Sequence, residues 1–358
     1  MKIALVAPLV TTIREPQAGG SQAFLADLAG GLTKRGHAVD VYAASGSEIP
    51  GVNVIDTGVA ADRLTGSLYR ANGSGPADLR PVEEAFATVY AAIHRVPYDV
   101  VHNHAFDAAA VRLATSLGSP VIHTLHLPPD IRVRAAIREA DHAQRPPTLA
   151  TVSAWQAKAW GITTRLPNGV PIDRIPWSGA AGDGAVFAGR FSPEKGADEA
   201  IDIANQAGVR IDLYGDPYDP EYAAVLAASR RGMPGVTIHA GVAREVLWRV
   251  MSRATAVLCP AKWDEPFGLV AAEALATGTP VIAFRRGALE EVVADGETGF
   301  VVPPGDVNGA AQALKRIGSI RRQACRRHAE SHLSLERSLD AHVRLYERVR
   351  RRAPAPNA

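Results

Sequence analysis

Short apolar runs alternate with helix-period segments along most of this chain, and the series runs twice. In the first half the apolar runs predict strands over residues 2–10, 39–42, 99–102 and 120–125. Between the first two, Phe24, Leu25, Leu28 and Leu32 recur at helical spacing and predict a helix over residues 21–35, closed by Gly36. Further helices are expected over 83–95 and 105–117, while residues 45–80, rich in Gly, Asp and Ser, carry no clear pattern. A second series opens near Ala185, with strands expected at 185–188, 209–214, 236–240, 256–259, 281–284 and 300–302 and helices between them. Repeated β–α alternation implies parallel sheets covered by helices. The fold class is therefore α/β, as two doubly wound domains facing a cleft, with ligands beyond the carboxyl ends of the strands. The Pro-, Gly- and Asp-rich stretch 166–184 reads as the junction, giving domains 1–166 and 167–334. The helical pattern from residue 335 is expected to cross back to the first domain, ahead of a frayed tail over 350–358.

With 358 residues the chain can fill two cores. A net charge of +2 makes no case for nucleic acid or an acidic partner. Cys259 and Cys325 have neither metal-ligand spacing nor a disulfide framework. Cys259 falls in an apolar run and is expected as a buried thiol, which fits a reducing cytoplasm. Residues 1–8 read as a strand and are too short for a signal-peptide core. No apolar run reaches membrane-spanning length, so any membrane contact is expected to be peripheral, through the basic tail.

The most informative segment is Asp264-Glu265-Pro266-Phe267-Gly268-Leu269-Val270-Ala271-Ala272-Glu273. It reads as a helix start with Glu265 at the N-cap and Pro266 at the first helical position. The amides of Phe267, Gly268 and Leu269 would then lack intrahelical partners and face phosphate or sugar oxygens. Glu273, roughly 12 Å further along at 1.5 Å per residue, would meet another part of the same ligand. The plainer reading is a capped amphipathic helix with a surface Glu.

Other candidates also fall at predicted strand ends. Arg190 and Lys195 follow the strand 185–188 and together suit a diphosphate, a planar fork and a point charge, unless they are simply solvated. Gly19 and Gly20 open a helix and would admit a phosphate or acceptor to the backbone. The first strand is not followed by G-x-G-x-x-G, which argues against a nicotinamide or flavin site. His126 ends the strand 120–125, where it could bond a sugar hydroxyl or carry a proton. His102, His104 and His123 compete with it. The alternate spacing of His102 and His104 could put both rings on one face, but a metal would need further ligands. Asn168 either shapes a turn or reaches a phosphate. Gly287 to Glu291 offers another helix start, and Asp306 is expected to cap the helix that follows it.

Taken together these segments resemble the retaining GT-B glycosyltransferases of family 4. The resemblance is carried by Gly189-Arg190 with Lys195, Tyr214-Gly215-Asp216, His239-Ala240-Gly241-Val242, the stretch from Pro260 to Gly268, the stretch from Glu273 to Val281, and the stretch from Asp295 to Asp306. The first half matches more thinly. The resemblance implies two Rossmann-like domains and transfer of a sugar from a nucleotide-diphosphate-sugar donor to a small-molecule or oligosaccharide acceptor. It implies neither cofactor nor metal. It gives Arg190 and Lys195 to the diphosphate, Glu273 to the ribose, and the main chain of Gly241 and Val242 to the base. It gives Glu265 and the amides of Phe267, Gly268 and Leu269 to the sugar, and His126 to the sugar near the reacting carbon. The chain departs from the family pattern at Arg285-Arg286-Gly287, where a Gly-Gly pair is frequent. A same-face attack and a covalent intermediate on a carboxylate both stay open. An epimerase, a disaccharide phosphorylase and a non-catalytic nucleotide-binding protein on the same fold are the alternatives. The Ala-, Arg- and Pro-rich composition suggests a high-GC bacterium. With that source, the resemblance implies sugar transfer onto an antibiotic, as in the avilamycin-type oligosaccharides, as one setting.

Overall fold

The computed structural model describes residues 1–17, 19–68, 78–180, 182–230 and 233–352. Residues 69–77 of the unpatterned stretch and residues 353–358 of the tail lie outside it. The chain forms two compact units, one of Met1–Arg14, Ser21–Pro167 and Ser338–Ala358, the other of Glu15–Gly20 and Asn168–Arg337. Among the described residues no helix is long and apolar enough to cross a membrane.

The first series runs β1 (Lys2–Val6), α1 (Gly20–Lys34), β2 (Ala38–Ala43), β3 (Asn53–Asp56), α2 (Arg80–His94), β4 (Val100–Asn103), α3 (Ala108–Ala114), β5 (Val121–Leu125), α4 (Ile131–Ala140), β6 (Thr148–Thr151) and α5 (Ala154–Trp160). The second runs β7 (Ala185–Ala188), α6 (Ala197–Ala207), β8 (Ile211–Tyr214), α7 (Pro220–Arg230), β9 (Val236–His239), α8 (Arg244–Ser252), β10 (Ala256–Cys259), α9 (Leu269–Ala276), β11 (Val281–Phe284), α10 (Leu289–Val292), β12 (Gly299–Val302), α11 (Val307–Lys315) and α12 (Arg322–His332). The last helix, α13 (Leu335–Arg352), returns to the first unit from Ser338 onward.

Each unit holds a six-stranded sheet, β3-β2-β1-β4-β5-β6 in one and β12-β11-β10-β7-β8-β9 in the other. Every strand pair is parallel. The strand order reverses between β1 and β4 and again between β7 and β10, and a ligand crevice opens at such a point, outside the carboxyl ends. The sheets are buried on both faces, which is why their central strands read as continuous apolar runs. β1 is shorter than the run that predicts it: it stops at Val6, although residues 7–10 stay buried. β3 and β6 were not expected. Asn53-Val54-Ile55-Asp56 and Thr148-Leu149-Ala150-Thr151 are edge strands too short for a pattern, fixed by pairing with β2 and β5.

α13 closes the core of the first unit. Its Leu339, His342 and Tyr346 are fully buried, with Leu345 beside them. Leu339 packs into the notch left by Gly31 on α1, where a Cβ would lie 2.6 Å from the leucine Cδ1. Asp306 caps α11 by accepting the Gly309 amide at 2.8 Å. Cys325 is buried; Cys259, at the end of β10, is partly exposed as a residue while its thiol is shielded. Replacing Leu339 by Ala should therefore leave a cavity and cost about 2–5 kcal/mol in denaturant unfolding of the first unit; an unchanged midpoint would mean that α13 is not part of that core.

Candidate functional site

In the second unit two loops leave the sheet where its order reverses. The loop after β7 carries Arg190 and Lys195, and the loop after β10 carries Trp263 to Gly268. Lys195 Nζ forms an ion pair with Glu265 Oε1, and Trp263 Nε1 donates to the same oxygen at 2.9 Å. The ammonium also sits 4.6 Å from the Trp263 ring centroid, a cation–π contact that fixes its position. The loops can lie this close because of Gly196, at φ +73°, where any side chain would collide with the Pro260 carbonyl. Arg190 pairs with Glu194 at 3.2 Å and stacks over Tyr218 at 4.2 Å. Each cation thus faces a carboxylate, and both ion pairs are mostly shielded from water.

The expected helix start is corrected by the structure. α9 begins at Leu269, with Gly268 as its N-cap at φ +93°, so neither Glu265 nor Pro266 occupies a helical position. The Glu265 carbonyl, which an N-cap would give to its own helix, accepts the Ala288 amide at 2.8 Å instead. The Gly268 carbonyl accepts the first intrahelical bond, from Ala272. The free amides of the helix start therefore belong to Leu269 and its successors, while those of Phe267 and Gly268 lie in the lead-in turn. The 12 Å offset between Glu265 and Glu273 does not apply, since only part of that stretch is helical. Gly287 packs against the Glu265 backbone, where a Cβ would collide. The expected helix start at 287–291 is only the short α10, and Gly287 supports Glu265 from behind.

Glu273 is no surface residue; it is 3% exposed. Arg244, at the start of α8, reaches its Oε1 through Nε at 2.9 Å and through a terminal nitrogen at 2.7 Å. The Arg244 amide donates to Glu15 at 3.1 Å. Gly20, of the same unit, lies against the first residue of α9, its ideal Cβ 3.4 Å from the Leu269 Cβ. Gly19 is half-buried beside it. At the other edge the Gly241 amide donates to Asp216 at 2.9 Å, so that amide is engaged, next to Val242. Asn168 is buried, and its Oδ1 has no partner among the described residues. The following Gly169 meets the backbone of Ser334 and Leu335.

His126 belongs to the first unit. Its Nε2 lies 2.9 Å from His104 Nδ1, with the rings stacked at 5.2 Å. His102 and His104 do share a face, their ring centroids 4.0 Å apart. His102 bonds Tyr346 and Thr124, both at 2.7 Å, and His123 meets Asn103 at 2.8 Å. Among the described residues no group of three His, Cys, Asp or Glu side chains is arranged to hold a metal ion. Burial holds these rings neutral: it pushes His123 and His126 down to about 3, His342 to about 4, and His102 and His104 well below the ordinary value. Cys259 is pushed up to about 12, by burial first and by the nearby Glu265 carboxylate second.

Several partners were not singled out in the sequence. Trp263 sits two residues before Glu265, within the quoted stretch, and Glu194 lies between the two cations. Arg244 and Asp216 gave no local sign of their roles, because their partners Glu273 and Gly241 are distant in sequence.

Two family models match the chain, "Glycosyltransferase Family 4" over residues 18–174 and "Glycosyl transferases group 1" over residues 183–332. The D-inositol 3-phosphate glycosyltransferase of Acidothermus cellulolyticus is 28% identical over 378 residues, covering 88% of this chain and 82% of that protein. The enzyme of the same name from Geodermatophilus obscurus is 29% identical over 389 residues, covering 92% and 84%. Among solved structures, AviGT4, a glycosyltransferase involved in avilamycin A biosynthesis, aligns with a TM-score of 0.73 at 25% identity over 98% of each chain. Anabaena Alr3699/HepE in complex with UDP and glucose aligns with a TM-score of 0.75 at 19% identity, over 97% of this chain and 99% of that one.

The neutral histidines make the first unit sensitive to acid. Their folded pKa values lie below the 6.5 of an ordinary histidine. Below that pH the unfolded chain binds protons that the folded chain refuses, so stability is complete above about 6.5 and falls as pH drops toward about 4. Denaturant unfolding should show a stability loss that begins near pH 7, steepens below about pH 6.5 and approaches about 1.4 kcal/mol per pH unit for each ring held neutral by about pH 5. A flat profile would show that the rings charge in the folded state.

Proposed function

The chain is a GT-B glycosyltransferase of the family 4 group, and we propose that it moves a sugar from a nucleoside-diphosphate donor to an acceptor hydroxyl with retention of the anomeric configuration and without a metal ion. The observation that carries the reading is the Lys195–Glu265 pair, with Arg190 on the same loop, where the strand order of the second unit reverses. A pyrophosphate is the ligand class that uses both cations at such a place. The nucleotide held by the Anabaena protein of the same fold supports that class.

In this reading the donor diphosphate takes Lys195 from Glu265 and Arg190 from Glu194. Glu265, still held by Trp263 Nε1, then turns an oxygen to the sugar hydroxyls. Glu273 meets the ribose while Arg244 holds its other side. Val242, with the carbonyl side of Gly241, meets the base, since the Gly241 amide is already given to Asp216. The helix amides from Leu269 onward, with Phe267 and Gly268 in the turn before them, line the sugar. Gly20, which lies against Leu269, and Gly19 leave the backbone open beside that helix start. Asn168, buried with its Oδ1 shielded, is left to shape its turn, and His126 is the first unit's candidate contact for a sugar oxygen. The acceptor oxygen attacks on the face from which the phosphate departs, and a phosphate oxygen takes its proton. The two cations stabilise the charge that grows on the leaving group. Sugar transfer in antibiotic synthesis is the proposed setting.

Arg190→Ala and Lys195→Ala should each lower kcat by about 100-fold or more, with the fold intact by circular dichroism. Near-normal turnover in either variant would remove that cation from the mechanism. Product analysis by NMR should show the donor's anomeric configuration, and excess EDTA should leave the rate unchanged; an inverted product or a chelator-sensitive rate would overturn retention or metal independence respectively.

A further inference from the structure

The contact between His104 and His126 defines the chemistry of the second ring, and the inference drawn from it rests on the reading of His126 as a sugar contact. Two neutral imidazoles 2.9 Å apart need one donor and one acceptor, so their tautomers are locked to one another. The surroundings decide which donates. Among the described residues His104 Nε2 is buried without a hydrogen-bond partner. A buried N–H with no acceptor is the rarer arrangement in folded proteins, and it forfeits the full desolvation penalty of the donor. The single proton of His104 therefore belongs on Nδ1, from which it is donated to His126 Nε2. His102 is in ring contact with His104, but its own two nitrogens are taken by Tyr346 and Thr124. His126 Nε2 is then the acceptor, and the proton of His126 lies on Nδ1. The ring is flanked by Phe106, edge-on at 6.4 Å, and keeps 7% of its surface exposed.

We propose that His104 is a positioning residue that holds His126 in the Nδ1–H tautomer, so that the nitrogen left for a ligand is a neutral hydrogen-bond donor suited to a sugar oxygen. His126 on this account does not act as a base, because the lone pair that would take a proton is already filled by His104.

The test reads the tautomer directly, by long-range 1H–15N correlation on the full chain labelled at histidine, with His126→Gln used to identify the signals. His126 should show a protonated-type Nδ1 and an unprotonated-type Nε2. His104→Leu should move the proton of His126 toward Nε2 and lower kcat about tenfold, the scale of one lost hydrogen bond, with the donor KM little changed. His104→Asn, whose side-chain amide can stand near the former Nδ1, should restore both. A proton on His126 Nε2 in the unaltered protein, or Leu and Asn variants alike in tautomer and rate, would overturn the proposal. If the Leu variant does not fold, the tautomer of the unaltered protein decides alone. That measurement needs no donor, so its failure leaves the roles of Arg190 and Lys195 standing, and their failure leaves it standing.

Discussion

The reversal of strand order at the centre of each sheet is the constraint on which the rest depends. Neighbouring parallel strands normally send their following helices to the same face, and the loops between run side by side. At β1/β4 and β7/β10 the connections diverge, so the space beyond the strand ends is not covered by the chain's own crossover. Polar side chains collect there because both faces of the sheet are already sealed by helices. In the second unit the gap is spanned by Lys195 from one loop and Glu265 from the other. Gly196 and Gly287 make this contact possible: each stands where a side chain would strike backbone, so the loops after β7, β10 and β11 pack as one layer behind the pair. In the first unit the amide of His104 donates to the Val6 carbonyl at 2.9 Å, which anchors the histidine network at the equivalent reversal.

Electrostatically the two units solve the same problem in opposite ways. The second keeps its charges and pairs each one: Lys195 with Glu265, Arg190 with Glu194, Arg244 with Glu273. A buried pair gives little net stability, because desolvation offsets most of the attraction. Its use is that each partner is held in a defined place and can exchange one carboxylate for a more highly charged phosphate without being left alone. The first unit keeps charge out of its histidine cluster. His102, His104, His126 and His342 are buried against one another and stay neutral, since a second positive ring beside the first would be penalised by both desolvation and repulsion.

Much of this organisation was legible in the sequence, for identifiable reasons. The strands β7, β10 and β11 coincide with the apolar runs because they lie in the middle of a sheet buried on both faces. The edge strands β3 and β6 left no pattern, since their register is imposed by a neighbour. Residue type with position at a strand end singled out Arg190 and Lys195 as candidates, and the predicted helix start singled out Glu265 and Glu273. Their pairing did not follow, because each partner is set by tertiary contact: Lys195 and Glu265 are seventy residues apart in the chain. The misplaced helix start has the same origin. Glu-Pro is a good local signal for an N-cap and first turn, but the Ala288 amide claims the Glu265 carbonyl, and the chain waits for Gly268 before it coils.

The path of α13 has a consequence for how the protein is made. Leu339, His342 and Tyr346 fill the core of the first unit, and His102 finds its phenol partner only on that helix. During synthesis the first 167 residues emerge long before these side chains exist. The second unit is complete in sequence at Arg337, so it can reach its native state while the first still lacks its last layer. The amino-terminal half therefore cannot complete its core ahead of the trailing unit, as leading domains usually do on the ribosome, and it lacks its last layer until α13 has been made.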